Sequence, residues 1–156
     1  MPDPIRKQIL DELETRLEAI TAANGYVNTI DTVEIGITNA DNVGPGERPW
    51  IGIIPQNEVW QDIAGHIVEI QWAIDLVLFI EPTTKTTASV ADGLASWAAD
   101  IRKALYAAPS NFSVDGMIAA KVVGIKTNAG VPEDAVQNLG ASAISIVVEF
   151  QEVTSA

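Results

Sequence analysis

Side chains able to do chemistry are few and widely spaced in this 156-residue chain. His66 is the only histidine and no cysteine is present, so one chain can assemble neither an imidazole cluster around a metal nor a thiolate nucleophile. A catalytic histidine needs an orienting partner, and His66, at the entry to an apolar run, reads as a surface residue. Asp75 lies between Ala73 and Val77, on a strand face that turns apolar. A raised-pKa general acid there would need a second carboxylate and a cleft, so the expectation is a carboxylate in water or paired with a base. Glu133 and Asp134 form an acidic doublet too sparse for a calcium loop. Gly44, Pro45 and Gly46 break regular structure, but no lysine follows in phosphate-binding register and no helix starts there. No catalytic, cofactor or metal residue is assigned, and the chain is not expected to be an enzyme. The four tryptophans, Trp50, Trp60, Trp72 and Trp97, read as core or interface anchors. Trp60 falls outside any clear strand or helix and is the expected surface contact.

The elements that would position these residues are organised around residues 66 to 81. Every even position from Val68 to Ile80 is apolar, while Glu69, Gln71, Asp75 and Glu81 occupy odd ones, the period of a pleated strand with one buried face. Val77 and Phe79 make the far half apolar on both sides. Fully extended, such a strand runs roughly 50 Å, longer than the roughly 40 Å breadth of a compact chain of this size. It must bend at a bulge or reach past its own core towards another molecule.

Two segments carry helical periodicity. Ile5, Ile9, Leu13, Leu17 and Ile20 form one apolar stripe over residues 4 to 23, with Asn24 and Gly25 as the stop. Val90, Leu94, Trp97, Ile101 and Leu105 form another over residues 88 to 107, ended by Pro109. Further strands are expected at residues 27 to 37, 50 to 54, 116 to 126 and 142 to 151. Pro55 closes the second of these, residues 56 to 65 are irregular, and the last matches the long strand closely enough to share its sheet. Residues 38 to 49 and 127 to 141 read as long loops. The element order predicts one α+β domain spanning 1–156: a mixed, mostly antiparallel sheet of about five strands with two helices packed on one face.

Charge narrows the partners. Twenty-one acidic residues against nine basic ones give a net charge of -12, which repels phosphate and argues against nucleic-acid binding through a basic patch. The start of the chain leads into an amphipathic segment instead of the apolar core of a secretory signal, and no run reaches the length of a membrane span. The expected location is a cytoplasm, or a particle assembled there, with no membrane partner.

The layout resembles the tail-terminator family of long-tailed bacteriophages, the minor tail protein U-like and tail-completion proteins. The resemblance is carried by the helix from Ile5 to Ile20, the segment from Pro49 to Pro55, and the acidic turn near Glu58. It continues through the strand from Trp72 to Leu78 and the alanine-rich helix that ends between Ile101 and Ala107. What the resemblance implies is a homo-oligomeric ring, usually a hexamer, at the head-proximal end of the virion tail. Such a ring caps the tail tube protein, ends polymerisation and presents a surface to the head-completion or neck protein. DNA would pass through its lumen without specific binding, with Asp41, Glu47, Glu133 and Asp134 as candidate lumen acids. Trp60, Asp75, Val77 and Phe79 are the candidate interface residues. The alternatives are a head-closure or neck ring protein of the same particle and, in a different class, a small cytoplasmic ligand-binding domain or enzyme.

Overall fold

A computed structural model describes residues 4–36, 49–80, 87–107, 111–112, 120–128 and 140–153. Helix α1 (Ile5–Glu18) opens the chain, followed by a 3-10 turn at Ala22–Asn24 and strand β1 (Thr32–Ile35). Strands β2 (Trp50–Ala64) and β3 (Ile67–Ile80) form a long hairpin, and helix α2 (Thr87–Leu105) follows. Strands β4 (Asn111–Phe112), β5 (Ala120–Asn128) and β6 (Gly140–Val153) complete the set. All strands pair in one sheet of order β1-β2-β3-β6-β5-β4. Its ladder is carried almost wholly by β2, β3, β6 and β5, with β1 and β4 as short outer additions. The sheet is mixed: β1 runs parallel to β2 and every other pair is antiparallel. The protein is thus α+β with two helices and a mixed sheet, and the expected strand count of about five becomes six through the two-residue β4.

The even face of β3 is the floor of the core. Ile70, Ile74, Leu76 and Leu78 are fully buried, together with Ile144, Ile146, Val148 and Phe150 of β6, beneath Ile9, Leu13 and Leu17 of α1 and Leu94, Trp97 and Ile101 of α2. Both helical stripes and both strand alternations therefore meet in one apolar layer, worth about 1.5–3 kcal/mol for each large side chain buried. Two buried polar groups join the helices to the chain around them. Arg16 donates from Nη1 to the carbonyls of Leu105 (3.2 Å) and Ala107 (3.0 Å), covering the electronegative C-terminus of α2 with a cation. Asp100 accepts from the backbone N–H groups of Val27 (3.3 Å) and Asn28 (2.7 Å) and from Asn28 Nδ2 (2.8 Å).

Several sequence expectations need correction. Helix α1 ends at Glu18, and Gly25, at φ 87°, stops the 3-10 turn that follows. The strand expected from residue 27 begins only at Thr32, because Val27 and Asn28 are tied to Asp100. The strand expected at 116 to 126 is observed at Ala120–Asn128, and the final one extends to Gly140–Val153.

The largest correction concerns β2, which does not end at Pro55 but runs on to Ala64. Proline is tolerated there because β1 pairs only with Trp50–Ile53, so Pro55 stands on a sheet edge beside a bulge. Strand β3, in turn, has no spare edge. It pairs without interruption with β6 from Ile67↔Val153 to Ile80↔Gly140, and with β2 along the other side. Its length is matched by its neighbours, so it neither bends at a bulge of its own nor reaches past the sheet, and the open edge among the described residues lies one strand outwards, on β2.

Candidate functional site

The outer half of the β2–β3 hairpin is the most distinctive surface among the described residues. An extra residue between Pro55 and Glu58 shifts the register, and a one-residue bulge reverses which side chains face the core. Ahead of it Ile51 and Ile53 pair with Leu78 and Leu76 under the helices. Beyond it Glu58, Trp60 and Asp62 take that face, opposite Trp72, Ile70 and Val68. A second irregularity separates Asp62 from Ala64, and the chain turns at Gly65, with φ 57°, and the exposed His66.

Arg6, in the first turns of α1, reaches over this face. Its Nε donates to Glu58 Oε1 at 2.5 Å, Nη2 to Glu58 Oε2 at 3.2 Å, and Nη1 to Glu152 Oε2 at 3.1 Å. The guanidinium carbon also lies 5.5 Å from the centre of the Phe150 ring. One planar side chain thus joins β2, β6 and α1, using the fork geometry that suits a carboxylate. The hydrogen bond from Arg6 holds the Glu58 carboxyl below the usual carboxylate range, against the opposing effect of partial burial. The bond to Glu58 likewise raises the Arg6 guanidinium above its ordinary value.

Glu58 Oε2 accepts a further hydrogen bond from Trp60 Nε1, at 2.9 Å. The indole is therefore anchored at its polar edge while 59% of the residue remains exposed. Val59 and Ile63 are also exposed. Beyond Ile53 the outer edge of β2 has no strand partner among the described residues. Unpaired backbone groups, exposed apolar side chains and a tethered tryptophan suit the docking of another polypeptide. They offer no nucleophile, acid–base pair or ligand cluster, and no group of three or more His, Cys, Asp or Glu residues able to hold a metal occurs among the described residues.

The four residues expected to form an interface do not form one patch. Asp75, Val77 and Phe79 succeed one another on the sheet face opposite the helices, whereas Trp60, paired with Ile70, lies on the helix side. Trp60 is also separated from Phe79 by nine positions of β3, roughly 30 Å along the strand. Phe79 is only 7% exposed, its ring stacked on Trp50 with centroids 5.2 Å apart, so its area is used inside its own chain. Asp75 is half-buried and accepts a hydrogen bond from Ser145 Oγ at 2.8 Å. The acids Asp41, Glu47, Glu133 and Asp134 lie outside the described residues.

The Arg6–Glu58 contact was not anticipated, and nothing in the local sequence announces a pair separated by 52 positions. Glu58 and Trp60 are two residues apart, and only the strand geometry puts them on one face.

A scan against models of protein families finds no match for this chain, and a search of curated proteins finds none.

Proposed function

We propose that this protein is a structural component of a long-tailed phage virion, a tail terminator that forms a ring on the tail tube, ends its polymerisation and offers a surface for head joining. The observation that carries this reading is the edge of β2 from Ile54 to Ala64, which has no strand partner among the described residues and carries the tethered, exposed Trp60. A cyclic assembly covers such an edge in every copy at once. The resemblance in the order of helices and strands supports the same reading, and it supplies the expected hexamer, tube protein and neck protein as partners. The net charge of -12 suits a ring through which DNA passes under repulsion without sticking. The protein would act in the host cytoplasm during assembly and at the head-proximal end of the finished tail.

The test is to assemble tails with and without this protein and measure them by electron microscopy. Tubes that overrun their normal length when it is missing are the expected result. Tails of normal length that fail to join heads would point to a neck protein. Solution mass should show a discrete multiple of the chain, alone or on added tube protein, and a monomer under both conditions would overturn the ring.

A further inference from the structure

The turn between α1 and β1 holds a residue pair with a chemistry of its own. Asn24 is the only asparagine followed by glycine. In that setting the side-chain amide can be lost with no enzyme. The backbone nitrogen of the glycine gives up its proton and attacks Cγ, the new C–N bond closes a succinimide ring, the Cγ–Nδ2 bond breaks, and ammonia leaves with a proton. Water then opens the ring at either carbonyl, giving aspartate or isoaspartate. Glycine favours the attack because no Cβ stands beside its nitrogen.

The fold requires the same glycine. Gly25 closes the 3-10 turn at φ 87°, a left-handed conformation that glycine adopts without steric cost. Asn24 and Gly25 are both exposed, so burial does not shield them. Hydrogen bonds do. The Gly25 N–H donates to the Ala22 carbonyl at 3.1 Å, which disfavours loss of its proton. Asn24 Nδ2 donates to the Ala19 carbonyl at 2.8 Å, so the leaving nitrogen is pinned to the end of α1. The Asn24 backbone N–H donates to Thr21 O at 3.0 Å and to Thr21 Oγ1 at 3.3 Å. These bonds hold Asn24 in the helical turn, whereas ring closure needs rotation about its Cα–C bond out of the helical region.

Further contacts tie the turn to α2. Lys103 Nζ donates to the Gly25 carbonyl at 2.8 Å and lies 4.7 Å from the centre of the Tyr26 ring. One turn earlier on the same helix, Asp100 accepts from the N–H groups of Val27 and Asn28. The peptide unit that must move for the reaction is therefore clamped to both helices, through Ala19 and through Lys103.

We propose that Asn24 is a modification site guarded by the fold, its amide kept in the native chain and lost once the turn opens. The loss is self-reinforcing. An aspartate at this position sets a carboxylate against the Ala19 carbonyl to which the amide donated. Isoaspartate adds a methylene to the backbone, which moves the Gly25 carbonyl off Lys103 and the Val27 and Asn28 N–H groups off Asp100. A transient local opening thereby becomes permanent. The guard works within one chain and does not depend on the ring.

The test is to hold the chain in warm, mildly alkaline buffer, folded and in guanidinium chloride, and to follow Asn24 by peptide mass spectrometry. The unfolded chain should lose the Asn24 amide at least about tenfold faster than the folded one, the ratio being set by the local opening equilibrium. In the folded state, Lys103→Met and Thr21→Ala should each speed the loss by about threefold or more, because each removes a contact that keeps the turn closed. Their melting temperatures should stay near that of the wild type. Wild-type chain refolded after the denaturant incubation should melt lower, in proportion to the amide lost, whereas Asn24→Gln treated in the same way should not. Equal rates in the folded and unfolded chains would overturn the guard. An intact Asn24 in denaturant would overturn the site, and a folded-state rate that ignores both variants would overturn the clamp.

Discussion

Strand β2 is used in two ways along its length. From Trp50 to Ile53 every residue is buried, with β1 outside and β3 inside, and the side chains on alternate faces meet either the helices or the Phe79 ring. From Pro55 to Ala64 nearly every residue is exposed, and only β3 supplies a strand partner among the described residues. The backbone makes the same kind of ladder in both halves. What differs is the second neighbour: the inner half is enclosed on both edges, whereas the outer half, beyond its ladder with β3, is braced among the described residues by Arg6 on Glu58 and by the Trp72 indole N–H on the Gln56 carbonyl. Hydrogen bonding to one neighbour is enough to define a strand, but burial is what makes it contribute strongly to stability.

The sharpest way to break this contrast is to truncate an isoleucine in each half. Ile53→Ala, at a fully buried position, should lower unfolding free energy by about 2–5 kcal/mol in urea titration. Ile63→Ala, at an exposed position, should stay within about 0.5 kcal/mol. Similar losses at the two sites would mean that the outer half is as much a part of the core as the inner.

Gly52 tests the inner half from the opposite direction. A Cβ there would come within 2.3 Å of the Trp50 indole, so Gly52→Ala must push the ring away from its stacked position. The expected cost is about 1–3 kcal/mol by thermal melting. An unchanged melting temperature would show that Trp50 has room to move.

The brace itself should matter less. The Arg6 and Glu58 side chains are 33% and 19% exposed, so solvent screening limits Arg6→Ala to about 1 kcal/mol. Its signature is in the pH dependence. Because Glu58 titrates lower in the folded protein, its contribution is complete above the ordinary carboxylate range, near pH 5, and is lost as the pH falls through the depressed folded value. The stability gap between the wild type and Arg6→Ala should therefore be full at neutral pH and close in acid. The Trp60 indole N–H signal in NMR should broaden or move in the variant, and an unmoved signal would detach Trp60 from the brace. The smallest effect is expected for Val59→Thr, an exposed site on the open strand, with stability within about 0.5 kcal/mol of wild type.

Which parts of this architecture could be read from the residues follows from the same contrast. The stripes Ile9–Leu13–Leu17 and Leu94–Trp97–Ile101, and the alternations in β3 and β6, were legible because one face of each element is buried and the other is not. The outer half of β2 has no buried face of its own, so Gln56 to Ala64 show no alternation, and Pro55 reads as a stop when only local rules are applied. The displaced parity after the bulge, which brings Glu58 and Trp60 to the helix side, leaves no periodic trace. The expected interface at Asp75, Val77 and Phe79 lies where the far face of β3 turns apolar. The stacking of Phe79 on Trp50 shows that part of this apolar character serves the chain's own packing.

Composition and local periodicity by themselves determined the two helices, the two long alternating strands, the net charge of -12 and the lack of cysteine. Each of these depends on residue type or on spacing within one element. Only the tertiary structure decided that β3 lies at the centre of the sheet, that β2 continues past Pro55, and that β2 beyond Ile53 has no outer strand partner among the described residues. Those outcomes depend on which distant strand supplies each hydrogen-bonding partner. Many pairings satisfy the same alternation, and the choice among them is made by joint packing of both helices on a single sheet face.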